Sequence, residues 1–337
     1  MSKADTQTAP GLSLVVTTRN DSDDALNRTQ LFINAVMAQT RRHRLNAELV
    51  LVEWNPPPGR PPLACALRWP NQPSSCAIRL VQVPPEIHQR FPNSDRLPLF
   101  QMIAKNVGIR RAHGHFILAT NIDILFSDEM VGFFASGRLS HNAMYRVDMY
   151  NVESDIPYAA GIDEQLAYCR AHVTHIYARD GVRSPALKPR ASLLKQAKEW
   201  LGLEPLRLHT NACGDFTLMA REHWLAVRGY AEFPTRASKI DGLLCYAAHY
   251  DGAKEIALRD PLRIYHIEHL ARADGMQEAL AERKTGGAGL ELDRQQYAAW
   301  TAQMRREKRP LIFNGDETWG LAADSLPETT TVQATGS

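Results

Sequence analysis

Hydrophobic residues along the chain fall into short continuous runs separated by stretches of helical spacing. Leu12-Ser13-Leu14-Val15-Val16-Thr17-Thr18 is an apolar, β-branched run that stops at Arg19-Asn20-Asp21, which predicts a strand. From Asp24 the spacing turns helical, with Leu31, Phe32, Ala35, Val36 and Ala38 on one face. A second strand is predicted over 47–55, ending in Glu53 and Trp54 before Pro56-Pro57-Pro58-Gly59 breaks the pattern. A third covers 78–83, between Pro-rich segments 56–73 and 84–98 that read as loops. Residues 105–128 read as a basic helix followed by a buried strand, Phe116-Ile117-Leu118, that terminates at Asn121-Ile122-Asp123. Strands are also expected over 143–150 and 264–269, and Leu243, Leu244, Tyr246, Ala247 and Ala248 mark a helix after Asp241. Strands alternating with helices in this way indicate an α/β fold.

The remaining segments are less regular. Residues 151–212 hold a helix near 163–172, a loop with Pro185 and Pro189, and a basic amphipathic helix over 191–201. With Lys188, Arg190, Lys195 and Lys198, residues 188–201 either pack with a solvated basic face or rest on an anionic membrane surface. Beyond Leu270 a charged helix leads to Thr285-Gly286-Gly287-Ala288-Gly289, a flexible connection without the Lys-Ser/Thr ending of a phosphate loop. A last helix follows over 293–306, and Trp319 in a polar stretch suggests a tail that folds over a ligand. The organisation expected is one domain over 11–270, with halves 11–130 and 140–270 and an insertion at 151–212. A helical extension follows over 271–326, and the Thr-rich residues 327–337 are expected to be disordered.

Composition narrows the class. A chain of 337 residues with 44% hydrophobic and 23% charged content can bury a large core. The formal charge of +2 and the lack of zinc-ligand spacing or an aromatic RNA signature predict no nucleic-acid partner. Five scattered cysteines without a C-x-x-C pair read as reduced thiols of a cytosol-like compartment. The polar amino terminus and the lack of any run near about 18 apolar residues predict neither a signal peptide nor a membrane span. A cytoplasmic protein, at most peripheral on the inner face of a membrane, is expected.

Ligands of open α/β sheets bind outside the carboxyl ends of the strands, so the polar residues there are the candidates for chemistry. Asp123 can hold a divalent cation against a diphosphate, or simply turn the chain or cap a helix. Arg19 can meet a phosphate or a base edge, while Asn20 and Asp21 serve equally well as a turn. Glu53 can accept hydrogen bonds from a ribose or base, or be a solvated strand end. Either imidazole of His266-Ile267-Glu268-His269 can complete coordination begun by Asp123. Arg146 and Asp148 share a strand face, directed into an acceptor cleft or forming a salt-bridged surface. Gly214 permits a close backbone approach or a plain turn. Asp241 is a general base or an N-cap.

Taken in chain order, Arg19-Asn20, Glu53, Lys105-Asn106-Xaa-Gly108, Asn121-Ile122-Asp123, Gly214-Asp215-Phe216, Lys239-Ile240-Asp241-Gly242 and His266 resemble the motif succession of nucleotide-sugar-dependent glycosyltransferases of the GT-A fold. The likeness is nearest to the family 2 enzymes and their β-galactosyltransferase-like relatives and spans residues 11–270. It implies a Rossmann-like mixed sheet flanked by helices, with a UDP- or GDP-linked sugar donor and a glycan or lipid-linked acceptor, in bacterial glycan or glycolipid synthesis. Thr18, Arg19, Asn20, Glu53, Lys105, Asn106, Asn121 and Ile122 would then face the donor, and Arg146, Asp148, Gly214 and Asp215 the acceptor. Asp123 and His266 would ligate Mn2+ or Mg2+, and Asp241 would be the general base of an inverting single displacement. Two departures stand out. The family's Asp-Xaa-Asp begins here with Asn121, and its Glu-Asp at the base reads Ile240-Asp241.

Two rivals follow from these residues. A sugar nucleotidyltransferase shares the layout, but would open with a Gly-rich loop where this chain has Thr17-Thr18-Arg19-Asn20. A non-catalytic nucleotide-sugar-binding protein would explain the missing acids.

Overall fold

A computed structural model of the chain describes residues 9–70, 75–186, 206–269 and 290–332. The strands are β1 (Leu12–Thr18), β2 (Ala47–Trp54), β3 (Cys76–Val83), β4 (Phe116–Thr120), β5 (Ile124–Phe126), β6 (Ala143–Val147), β7 (Met149–Val152), β8 (Val173–Ala178), β9 (Gly181–Arg183), β10 (Phe216–Ala220), β11 (Lys254–Leu258), β12 (Ile264–Ile267) and β13 (Glu328–Val332). Eight form one sheet in the order β11-β6-β10-β4-β1-β2-β3-β13, and five form a second in the order β5-β12-β7-β8-β9. In the large sheet β1 lies parallel to β2 and β4, and β3 parallel to β2, whereas β10 runs antiparallel to β4. The expected Rossmann-like mixed sheet is present.

Both faces of the large sheet are covered, which is why its central strands read as continuous apolar runs. Val15 belongs to the cluster on one face with Val50 and Val52, while Leu14 and Val16 belong to the cluster on the other with Leu49 and Leu51. The Asp23–Arg42 helix, capped by the Ser22 hydroxyl accepting from the Ala25 N–H, covers the second face with Phe32 and Val36. The Gln101–Arg111 helix covers the first with Ile103 and Val107. Gly108 sets how closely that helix approaches, since a Cβ there would lie 2.5 Å from Val15 Cγ1.

Two pairings assemble the functional edge. Antiparallel pairing sets Phe216 of β10 opposite Thr120 of β4, so the Gly214-Asp215 turn meets Asn121 where β4 ends. In the second sheet His266 of β12 pairs with Ile124 of β5, and the Ile267 N–H donates to the Asp123 carbonyl at 2.9 Å. Strand β12 therefore delivers His266, and His269 just past its end, to Asp123.

Several expectations need correction or bounding. The 143–150 segment is two strands in different sheets, broken at Asp148, so Arg146 and Asp148 do not share a face. Of the residues 327–337 expected to be disordered, Glu328–Val332 instead form β13, antiparallel to β3, whose threonines supply β-branched residues for an edge strand, and 333–337 lie outside the described residues. Trp319 is 1% exposed and packs beneath the Arg110 guanidinium, 4.7 Å from its ring centre, on the back of the Gln101–Arg111 helix rather than over a ligand. The Pro-rich loops contain the short helices Leu63–Ala66 and Pro85–His88. The basic helix at 191–201 and the glycine connection lie outside the described residues, among which no helix is long and apolar enough to cross a membrane.

Candidate active site

Asp123 ends the short turn between β4 and β5, and its carboxylate meets two imidazoles. Its Oδ2 lies 3.0 Å from His269 Nε2 and 3.4 Å from His266 Nε2. One ligand atom from each of the three falls within 4.8 Å of the others. Burial disfavours the charged carboxylate, but the charge and hydrogen bonds of His266 and His269 hold it well below the usual range. Asp123 Oδ1 and His269 Nδ1 are buried without a hydrogen-bond partner among the described residues, so each keeps the capacity for one more bond. Arg28, 6% exposed, brings its Nη1 to 3.7 Å from Asp123 Oδ2 while Asp24 binds its other nitrogens. Three such side chains could hold a cation, and a guanidinium at their rim would suit an anionic group beside it.

A cavity of about 670 Å3 opens at the turn that leads to Asp123. Asn121, two residues before Asp123, lines it together with Gln101, Asn211, Gly214, Asp215 and Asp241, and Tyr177 and Tyr297 add aromatic wall. The Asn121 amide accepts from Gln101 Nε2 at 2.9 Å and donates to Asp215 Oδ1 at 2.7 Å. Asp241 lies in the first turn of the Ile240–Tyr250 helix, whose N-cap is Lys239 rather than Asp241. Its Oδ2 accepts from the Gly214 N–H at 2.8 Å and its Oδ1 from the Gly242 N–H at 2.9 Å. Burial pushes its pKa up, the Cys213 side chain and the Gly242 N–H pull it down, and Asp215 pushes it up. The net rise moves a carboxylate toward the range useful for proton abstraction. A Cβ at Gly214 would sit 3.1 Å from Asp241 Oδ2, so the carboxylate would have to shift by a few tenths of an ångström to admit one.

Several residues assigned to the donor are engaged elsewhere. Glu53 is fully buried and accepts from the Leu63 N–H at 2.9 Å and Gln82 Nε2 at 3.2 Å. Thr18 Oγ1 meets Thr29 Oγ1 at 3.3 Å, and Asn20 donates to the Pro61 carbonyl and accepts from Arg60 Nε. The Asn106 amide holds the chain at Tyr230 and Glu232, and Ile122 is packed in the core. Lys105 is fully buried and donates to the Gly214 carbonyl at 2.5 Å. Burial lowers its pKa to about 8 against the raising influence of Asp215, Asp241 and Asp123. Lys105 thus supports the cavity floor from behind. Arg19 donates to the Asn55 carbonyl at 2.7 Å and lines a separate cavity of about 470 Å3 with Asn55, Ser94 and Arg96.

The acceptor candidates divide likewise. Gly214 and Asp215 line the large cavity. Arg146 is fully buried, its guanidinium donating to the His209 and Asn211 carbonyls and to Thr217 Oγ1, and Asp148 accepts from or pairs with His209 and Arg183. Both shape the 209–211 turn from outside the cavity. Sequence reasoning missed Arg28, Gln101, Asn211, Tyr177, Arg294 and Tyr297. Arg28 alone left a signal, since it interrupts the apolar stripe of its helix between Ala25 and Leu31.

No protein-family model matches this chain, and no curated protein matches it. Among solved structures it is similar to the catalytic domain of Drosophila beta1,4-galactosyltransferase 7 in complex with xylobiose, at 11% identity and a TM-score of 0.38, over 77% of this chain and 72% of that one. It is also similar to S. aureus TarS residues 1–349 in complex with UDP-GlcNAc, at 11% identity and a TM-score of 0.40, over 77% of this chain and 58% of that one, less than two thirds of its length. Likenesses of this size leave the activity to be argued from the chain's own residues.

Proposed function

We propose that this protein is a glycosyltransferase that moves a sugar from a nucleoside-diphosphate donor, UDP- or GDP-linked, to a hydroxyl of a glycan or lipid-linked acceptor. The reading is carried by the convergence of Asp123, His266 and His269 two residues after Asn121, which lines a cavity with Asp215 and Asp241. Two imidazoles and one carboxylate form a donor set better suited to Mn2+ than to Mg2+, which prefers oxygen alone. A bound ion there would neutralise charge building on the departing diphosphate. Arg28 adds a fixed positive charge at the same edge.

Within the cavity, Asp241 takes the proton from the acceptor hydroxyl as that oxygen attacks the anomeric carbon and the diphosphate leaves, an inverting displacement. The Gly214 and Gly242 N–H groups fix the carboxylate's orientation, and general-base action of this kind contributes about 10²- to 10⁴-fold. Gln101, Asn121 and Asn211 offer amides to sugar hydroxyls. A place in bacterial glycan or glycolipid synthesis, cytoplasmic or peripheral at the membrane, belongs to the same proposal. The test is nucleoside diphosphate release from a panel of UDP- and GDP-sugars with Mn2+. Release by the wild type and its loss in Asp123→Ala support the reading. Binding without turnover in both proteins supports the non-catalytic alternative, and pyrophosphate release from a nucleoside triphosphate and a sugar phosphate supports the nucleotidyltransferase.

A further inference from the structure

The large cavity holds four charged side chains, and three of them are occupied. Asp241 accepts two backbone N–H bonds, Asp215 accepts from Asn121, and Lys239 donates to the Leu292 carbonyl at 2.9 Å and pairs with Glu291 at 3.4 Å. The fourth, Arg294, is exposed at the cavity wall, and its guanidinium has no partner among the described residues. Arg294 is also the first residue of the Arg294–Glu307 helix, whose first turn has no acid. The Asp293 carboxylate caps this end, accepting from the Gln295 and Gln296 N–H groups, so Arg294 is not needed to satisfy the helix terminus, where a cation is disfavoured by the dipole.

Three residues along the same helix face, Tyr297 reaches the start of the helix that carries Asp241. Its hydroxyl occupies the space a Gly242 Cβ would need, at 2.9 Å. The segment is anchored in place: Arg236 N–H donates to the Leu290 carbonyl at 2.6 Å, and Phe233 stacks on Trp300 with ring centres 5.6 Å apart. Lys239 holds a left-handed backbone at φ 68°, uncommon outside glycine, while gripping Leu292. Arg294 and Tyr297 therefore face the cavity from a fixed support, beside the candidate base.

We propose that the acceptor is an anionic saccharide, bearing a carboxylate or phosphate that pairs with Arg294 while a sugar ring rests against Tyr297, and that residues 290–297 are its recognition element. This rests on the glycosyltransferase reading of the cavity, but its test does not require turnover. Calorimetric binding to the full chain, with Mn2+ and a nucleoside diphosphate present, would compare a glucuronate-terminated disaccharide, its neutral glucose-terminated counterpart and a disaccharide 6-phosphate. The wild type should bind one or both anionic sugars at least tenfold more tightly than the neutral one, and the tighter of the two identifies the source of charge. Arg294→Gln should erase that preference, and Arg294→Lys should restore part of it. Arg294→Glu should erase it with an unchanged or higher melting temperature, because an acid suits a helix amino terminus. Equal affinity for charged and neutral sugars, no binding of either, or a preference that survives Arg294→Gln would overturn the proposal. Failure of the glycosyltransferase reading itself would show separately, as no nucleoside diphosphate release from any donor.

Discussion

The ends of β1 and β2 and the ends of β4 and β12 present the same kinds of side chain and use them in opposite ways. After β1 and β2, Asn20 and Glu53 are taken up by the loop that returns past them: Arg60, the Pro61 carbonyl and the Leu63 N–H supply their partners. After β4 and β12, no loop among the described residues satisfies Asp123 Oδ1 or His269 Nδ1, and Asn121, two residues before Asp123, lines a large cavity. A polar residue at a buried strand's carboxyl end must be paired when desolvated. Whether the partner is the chain itself or a ligand depends on a segment distant in sequence.

The sharpest way to break this contrast is to disable the open side. Asp123→Ala removes the one carboxylate of the cluster, and several kcal/mol of transition-state stabilisation, about 10³-fold in donor turnover, should be lost. Steady-state nucleoside diphosphate release measures this, and a loss under tenfold would contradict it. Asp241→Asn is expected to lower transfer by about 10²- to 10⁴-fold. It should cost only about 1 kcal/mol of stability, because an amide oxygen keeps one of the two N–H bonds. A fall in activity matched by a collapse of the melting transition would instead mark Asp241 as structural.

The satisfied side should respond in the other currency. Glu53→Gln is expected to lower stability by about 1–3 kcal/mol, from disturbed buried hydrogen bonds, and to leave donor affinity within twofold. A tenfold weaker donor would return Glu53 to the nucleoside site.

Much of this was legible along the chain. Apolar runs located β1, β2 and β4, because strands buried on both faces are continuous in sequence, and His-x-x-His at the end of β12 pointed to the partner of Asp123. Only His266 was assigned as a ligand, although His269 lies nearer. The use of Glu53, Lys105, Asn106 and Arg146 was not legible, since each is decided by a contact with residues up to 126 positions away. Nor was the break at Asp148. Alternation along 143–150 looks identical whether one strand runs through or two strands part between sheets.

The smallest effect concerns the floor beneath the cavity. Burial lowers Lys105 from 10.5 to about 8, so between these values the unfolded chain binds more protons than the folded one. Stability should therefore rise as pH increases from about 8 toward 10.5, and be least favoured by this group below about 8. Urea midpoints across that window should rise in the wild type and rise less in Lys105→Met. Equal slopes in the two proteins would show that Lys105 does not titrate there.

The central claim is that Asp123, His266 and His269 grip one divalent ion. Calorimetric titration of Mn2+ into the wild type and into Asp123→Ala, with a nucleoside diphosphate present, tests it directly. One ion per wild-type chain is expected, its binding weakened at least tenfold by Asp123→Ala. Equal binding by both proteins, or none by the wild type, would contradict it.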